Sequence, residues 1–193
     1  MPNWCTSAIA FGGKAEELET LYGVIKDLED KNEPAVPNGF GKTWLGCLVN
    51  ALGGDYEKVY CRGEWTYAEL SGGILHMETE TAWAPCHEVY EFLCGKFPSL
   101  SYYYRSEEPG MGEYHTNDVD GVYFADRYVV QMLTPDDECM TDYFPALEDA
   151  LEWIGDMGKC VIESEKDVAL LDENWKKENP YSYCQLIRYE IDG

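Results

Sequence analysis

Positive charge is what this chain has least of. Fourteen Lys plus Arg stand against 37 Asp plus Glu, a net charge of −23. Such a field repels phosphate backbones and anionic membrane surfaces and draws in basic partners or cations. Neither nucleic acid nor a membrane is therefore expected as a partner. Long apolar runs are missing too, so no segment should span a bilayer. The opening Met-Pro-Asn-Trp-Cys5 has neither the basic start nor the apolar core of a signal peptide, and a cytoplasmic location is expected.

Motifs that carry chemistry are also scarce. Cysteines fall at 5, 47, 61, 86, 94, 139, 160 and 184, with no Cys-x-x-Cys pair. They are expected to be free thiols serving as small apolar residues. The three histidines, His76, His87 and His115, sit on different predicted elements without ligand spacing, so no metal site is expected. Gly41-Lys42-Thr43 lacks the glycine a phosphate loop needs five residues earlier, where Val36 stands. Asp118 to Gly121 resembles part of a calcium loop, but Arg127 occupies the position of its bidentate Glu, and a turn explains the same residues. A Cys-His pair, such as Cys86 with His87 or Cys61 with His76, would need a lowered thiol pKa that nothing nearby supplies. No cofactor is expected, and no catalytic residue stands out.

What is present is architecture. With 45% hydrophobic and 14% aromatic residues, 193 residues suffice for a real core. Ser7 to Phe11 reads as a buried strand. Lys14 to Lys31 places Leu18, Leu21, Tyr22, Ile25 and Leu28 at helical spacing. Trp44 to Leu52 predicts a short inserted helix, and Val59 to Cys61 and Trp65 to Leu70 predict strands. Ser71-Gly72-Gly73 marks a hairpin turn into the alternating strand Ile74 to Trp83. Pro85 opens a helix over 86–96 with Val89, Tyr90, Leu93 and Phe97 as its inner stripe, and Ser99 to Arg105 is the next strand. The order β-α-(insertion)-β-β-α-β predicts an α+β fold: a ferredoxin-like split βαβ core with an antiparallel sheet and both helices on one face.

Beyond residue 111 the acidic excess steepens, and a C-terminal α/β extension is expected. Strands are predicted at Glu113 to Thr116 and Val122 to Ala125 around a turn at Asn117 to Gly121, and again at Arg127 to Leu133. A helix capped by Asp142 is predicted to run to Met157. A strand over 160–163, a helix over 168–177 and a strand over 181–191 complete the reading. Residues 1–110, with an insertion at 32–58, form the expected core, and 111–193 are expected to extend its sheet within one packed unit.

Several short motifs occur together: Met-Pro-Asn-Trp-Cys5, Leu45-Gly-Cys-Leu-Val49 with Leu52-Gly-Gly-Asp55, Cys61-Arg-Gly-Glu-Trp65, Glu80-Thr-Ala-Trp-Ala-Pro85, Phe97-Pro-Ser-Leu100 and Glu107-Glu-Pro-Gly-Met-Gly112. In that order they resemble the YubB-like ferredoxin-type domain family, uncharacterised proteins of phages, plasmids and gut bacteria. The resemblance covers residues 1 to about 130. It implies a ferredoxin-like fold and a phage or mobile-element origin, and it carries no enzymatic activity.

The expected function is that of a non-catalytic protein-interaction protein with an unidentified protein partner. Its binding surface is expected at the sheet face or strand-end rim, at Arg62, Trp83, Arg105 and Glu107. Pairing of Glu78, Glu80, Glu107 or Glu108 with Arg62 and Arg105 would order that rim. Two alternatives are an acidic nucleic-acid mimic that occupies a DNA-binding protein, and a small enzyme with a gathered Cys/His/Glu site. The first predicts carboxylates arrayed on one exposed face; the second predicts a concave pocket with convergent titratable groups.

Overall fold

The computed structural model describes residues 2–192. It divides into two compact units: one runs to Asp118 and takes in Asp192, and the other is Val119–Ile191. The fold is mixed α+β with mostly antiparallel sheets. Among the described residues no helix is long and apolar enough to cross a membrane.

In the first unit the chain forms β1 (Trp4–Gly12), α1 (Ala15–Glu29), α2 (Leu45–Ala51), β2 (Gly63–Ser71), β3 (Ile74–Ala82), α3 (His87–Lys96), β4 (Ser101–Glu108) and β5 (Glu113–Thr116). Its strands lie in the order β2-β3-β1-β4-β5, each pair antiparallel. Alternation decides which side chains face the helices, because successive residues of a strand point to opposite faces. Ile9 and Phe11 of β1, Leu75 and Met77 of β3, Trp65 of β2 and Tyr104 of β4 share one core with residues of α1, α2 and α3. All three helices therefore cover the same face.

Local chemistry explains the elements. In α1, Leu18, Leu21, Ile25 and Leu28 form the buried stripe, Glu16 and Glu17 favour the positive N-terminal end, and Lys26 favours the last turn. The β2-β3 hairpin turns on Gly72 and Gly73, both with positive φ, as a two-residue loop of this hand requires. β2 begins at Gly63, and the segment expected as a strand over 59–61 is coil and turn. Past β4 the first unit continues beyond the acidic shift, because β5 pairs with β4 from Glu113 to Thr116. Asn117 then replaces a further strand residue with its side chain: its Oδ1 accepts from Tyr104 N at 2.7 Å, and its Nδ2 donates to Tyr102 O at 3.1 Å.

The second unit comprises β6 (Tyr128–Leu133), β7 (Cys139–Phe144), α4 (Leu147–Gly158), α5 (Glu165–Glu178), β8 (Tyr183–Arg188) and the two-residue β9 (Glu190–Ile191). Three strands pair antiparallel in the order β7-β6-β8. The two helices pack against them through Val130, Met132, Leu151, Ile154, Val168 and Trp175.

Three sequence expectations are corrected here. Asp142 does not cap a helix; it lies in β7 opposite Val130, and α4 begins at Leu147. Pro145 is the cause, since a residue preceding proline is pushed out of helical conformation and Phe144 stays extended. Residues 122–125 are not a strand, and neither are 160–163, where Lys159 in the left-handed conformation ends α4.

Candidate functional site

At one end of the first unit's sheet, on the helix side, lies a cleft of about 370 Å³. Alternation along β4 sends Tyr104, Ser106 and Glu108 to this side together, and β1 contributes Cys5. The β4-β5 register sets Ser106 opposite His115 and Glu108 opposite Glu113, so both β5 residues face the same space. Asp192 closes one side, its N–H donating to Thr116 O at 2.8 Å. Trp83-Ala84-Pro85 and His87, from the first turn of α3, also line it.

The Trp83 wall is backbone-strained. Trp83 has φ 73°, a conformation that costs a bulky L-residue roughly 1–2 kcal/mol. It is held there by its own N–H donating to Asn3 O at 2.9 Å and by Thr81 Oγ1 donating to Ala84 O at 2.8 Å. The indole remains 45% exposed. A strained, half-exposed tryptophan beside a cleft is the arrangement that functional sites retain at a cost in stability.

The polar groups at the mouth form a hydrogen-bonded chain. His115 Nε2 lies 2.8 Å from Glu113 Oε2, and its Nδ1 lies 3.3 Å from Asp192 Oδ1. The Tyr104 hydroxyl donates to Asp192 Oδ2. Burial opposes charging of His115, but its hydrogen bonds to the Glu113 and Asp192 carboxylates outweigh it and raise its pKa. His87 is moved the other way: burial among Tyr90, Tyr102 and Tyr104 lowers its pKa, and its ring centroid lies 4.7 Å from that of Tyr104. Burial, reinforced by Asp192, drives the Tyr104 phenol far above its ordinary range.

An NMR pH titration should therefore resolve two cleft histidines on opposite sides of 6.5, His115 above and His87 below. The sign for stability follows. The His115 contribution is complete below pH 6.5 and is lost as pH rises through its raised folded value. The His87 penalty enters as pH falls through 6.5. Two coincident titrations at the ordinary value would contradict the hydrogen-bonded chain.

Further in, Glu108 is 2% exposed and is satisfied by the turn that follows it. Its Oε1 accepts from Gly110 N and its Oε2 from Met111 N, each at 2.9 Å. Ser106 is also 2% exposed and lines the cleft; among the described residues the one buried side-chain oxygen without a partner is Ser182 Oγ, which is not among the lining residues. No Lys or Arg is among the described lining residues.

The cleft contains a cysteine, histidines and carboxylates, but not in a form suited to nucleophilic chemistry. Cys5 is 1% exposed, and burial raises its pKa. Its sulfur lies 3.8 Å from Thr6 O and from Ser7 Oγ. Cys86 and Cys184 are pushed by burial to about 12, so neither presents a thiolate near neutral pH. All eight cysteines are free, and Cys139 and Cys160 are exposed. Iodoacetamide at neutral pH should label those two first, with Cys5, Cys47, Cys61, Cys86 and Cys184 protected until unfolding; mass mapping of the adducts checks this. Among the described residues, no group of three or more His, Cys, Asp and Glu could hold a metal ion.

Of the residues expected at a binding rim, the structure brings only Trp83 to the cleft. Arg62 is exposed just before β2, where its carbonyl accepts from Ala82 N at 3.0 Å, and it lines a separate open cavity with Trp44, Tyr56 and Tyr60. Arg105 and Glu107 lie on the opposite sheet face, opposite Ala8 and Thr6 of β1, with Nε to Oε1 at 3.8 Å. The four do not form one rim, because alternation separates 105 and 107 from 104, 106 and 108. Sequence reasoning missed Cys5, Ser106, His115 and Asp192. The period of two that assigns Tyr102 and Tyr104 to one face extends to Ser106 and Glu108. No local signal points to His115 or Asp192. Comparison with protein-family models, with curated proteins and with solved structures finds no match for this chain.

Proposed function

We propose that this chain is a non-catalytic interaction protein whose binding feature is the Trp83–Ser106 cleft, which receives a side chain of a protein partner. The observation that carries this reading is the cleft's composition. A solvent-facing tryptophan is held at a costly φ in a cleft that also gathers carboxylates and a serine hydroxyl, while every thiol with a shifted pKa is moved away from reactivity. At about 370 Å³ the space is large enough to receive one side chain. We further propose that the first unit is a ferredoxin-like split βαβ core of the YubB-like kind, from a phage or mobile element. The order β2-β3-β1-β4, antiparallel throughout with α1 and α3 on one face, supports that kinship.

The test is capture of partners from the organism that carries the protein, using the wild type and Ser106→Leu, which fills the cleft. A partner retained by the wild type and lost by the folded variant supports the reading. Capture that is indifferent to the substitution overturns it. A second reading, nucleic-acid mimicry, draws on the other sheet face. There Glu64 stands opposite Glu80, Tyr67 opposite Glu78 and Glu69 opposite His76, with Glu69, Glu78 and Glu80 exposed. Mimicry requires capture of DNA-binding proteins that survives Ser106→Leu and fails at high salt.

A further inference from the structure

The chemistry of the cleft is specific enough to name what enters it. Three carboxylates, Glu108, Glu113 and Asp192, border a space with one imidazole pair and no Lys or Arg among its described lining residues. Glu108 accepts from the Gly110 and Met111 amides, and Glu113 and Asp192 already pair with His115. What capacity remains on these oxygens is for accepting, so the complementary group is rich in donors and must share Glu113 and Asp192 with the imidazole. The walls are aromatic and apolar: Trp83, Tyr104 and the His87 ring, with Pro85 and Met111. Burial lowers the pKa of His87, which disfavours a positive charge on its ring beside an incoming cation. Ser106 adds a serine hydroxyl to the lining.

Resting on the reading of the cleft as a partner's side-chain site, we propose that the occupant is an arginine of a protein partner. Its guanidinium stacks against Trp83 and donates hydrogen bonds to Ser106 Oγ and to the Glu113–Asp192 carboxylates. A guanidinium fits better than an ammonium for two physical reasons. It is planar and weakly hydrated, so it loses less on entering an aromatic slot, and it spreads five donors over several acceptors where an ammonium is a compact, strongly hydrated point. The aliphatic stem of arginine matches the apolar contact with Pro85 and Met111. The net charge of −23 guides a basic partner toward the site and makes its arrival salt-dependent.

The experiment uses the full chain and four probes: Nα-acetyl-arginine amide, the corresponding lysine and citrulline amides, and a Gly-Gly-Arg-Gly-Gly peptide. Binding is followed by shifts of the Trp83 indole N–H and the His115 ring. The arginine amide is expected to bind at least about tenfold more tightly than citrulline amide, which has the same shape without the charge, and more tightly than the lysine amide. The peptide should bind at least as well as the amide; preference for the free amide would point to a small-molecule ligand and overturn the assignment to a protein. Trp83→Gly should weaken arginine binding about tenfold, and it serves as the second variant if Ser106→Leu does not fold. Equal binding of citrulline, stronger binding of lysine, or no shift with any cation overturns the inference. If partner capture still depends on Ser106 in that case, only the arginine assignment falls. If capture is also indifferent, the cleft is not the binding site.

Discussion

Substituting Trp83 is expected to separate binding from stability. Trp83→Ala and Trp83→Gly both remove the indole, and both should lose partner capture and weaken arginine binding by about tenfold, the size of one partly desolvated cation–π contact. The two variants should nevertheless differ in stability in an unusual direction. At φ 73° alanine retains the steric conflict of an L-residue, whereas glycine has none. The glycine variant should therefore be more stable than the alanine variant by about 1 kcal/mol in urea denaturation. At an ordinary strand or helix position the order is reversed, because glycine pays more backbone entropy. If alanine proves the more stable of the two, Trp83 is not held in a strained conformation, and the case for its retention at the cleft weakens with it.

Gly63→Ala should be the most damaging single methyl in the first unit. Gly63 is buried at the start of β2, paired with Thr81. A Cβ there would lie 2.4 Å from the Glu80 carbonyl oxygen and 2.7 Å from Thr81 Cα, both backbone atoms of the adjacent strand β3. No rotamer change relieves such a contact, so β2 must move away from β3. Its outer side is also engaged, with Trp65 N donating to Thr43 O and Trp44 bridged to Glu64. A loss of about 3 kcal/mol is expected. Gly23→Ala is the matched control. Gly23 is exposed within α1 with nothing within 4 Å of a new methyl, and alanine there should stabilise by about 1 kcal/mol through helix propensity. Urea midpoints moving in opposite directions would bear out both environments; equal shifts would contradict the tight β2-β3 approach.

The strongest sequence signals were those in which local chemistry and burial agree. The stripe Leu18, Leu21, Ile25, Leu28 and the paired glycines at 72 and 73 each have one structural outcome, and α1 and the β2-β3 hairpin form as read. The misreading at Asp142 has a visible cause, since Pro145 was already a reason to keep Phe144 extended. Cysteines were legible as thiols because their spacing offers no ligand pair, and five of the eight are buried. Glu107 and Glu108 look alike as neighbours in sequence. One pairs toward Arg105 on the outer face, and the other lines the cleft with both oxygens held by the Gly110–Met111 turn.

The linear chain determined by itself the α+β character, the acidic field and the segments able to form helices and strands, because periodicity, capping and charge are properties of neighbours within a few residues. Only the tertiary structure decided the site. His115 meets Ser106 through a strand register, Asp192 meets Tyr104 across 88 residues, and Trp83 receives its strained φ from an anchoring bond to Asn3. The first depends on the register of a hairpin and the other two on long-range pairing, and neither is set by the composition of any short window.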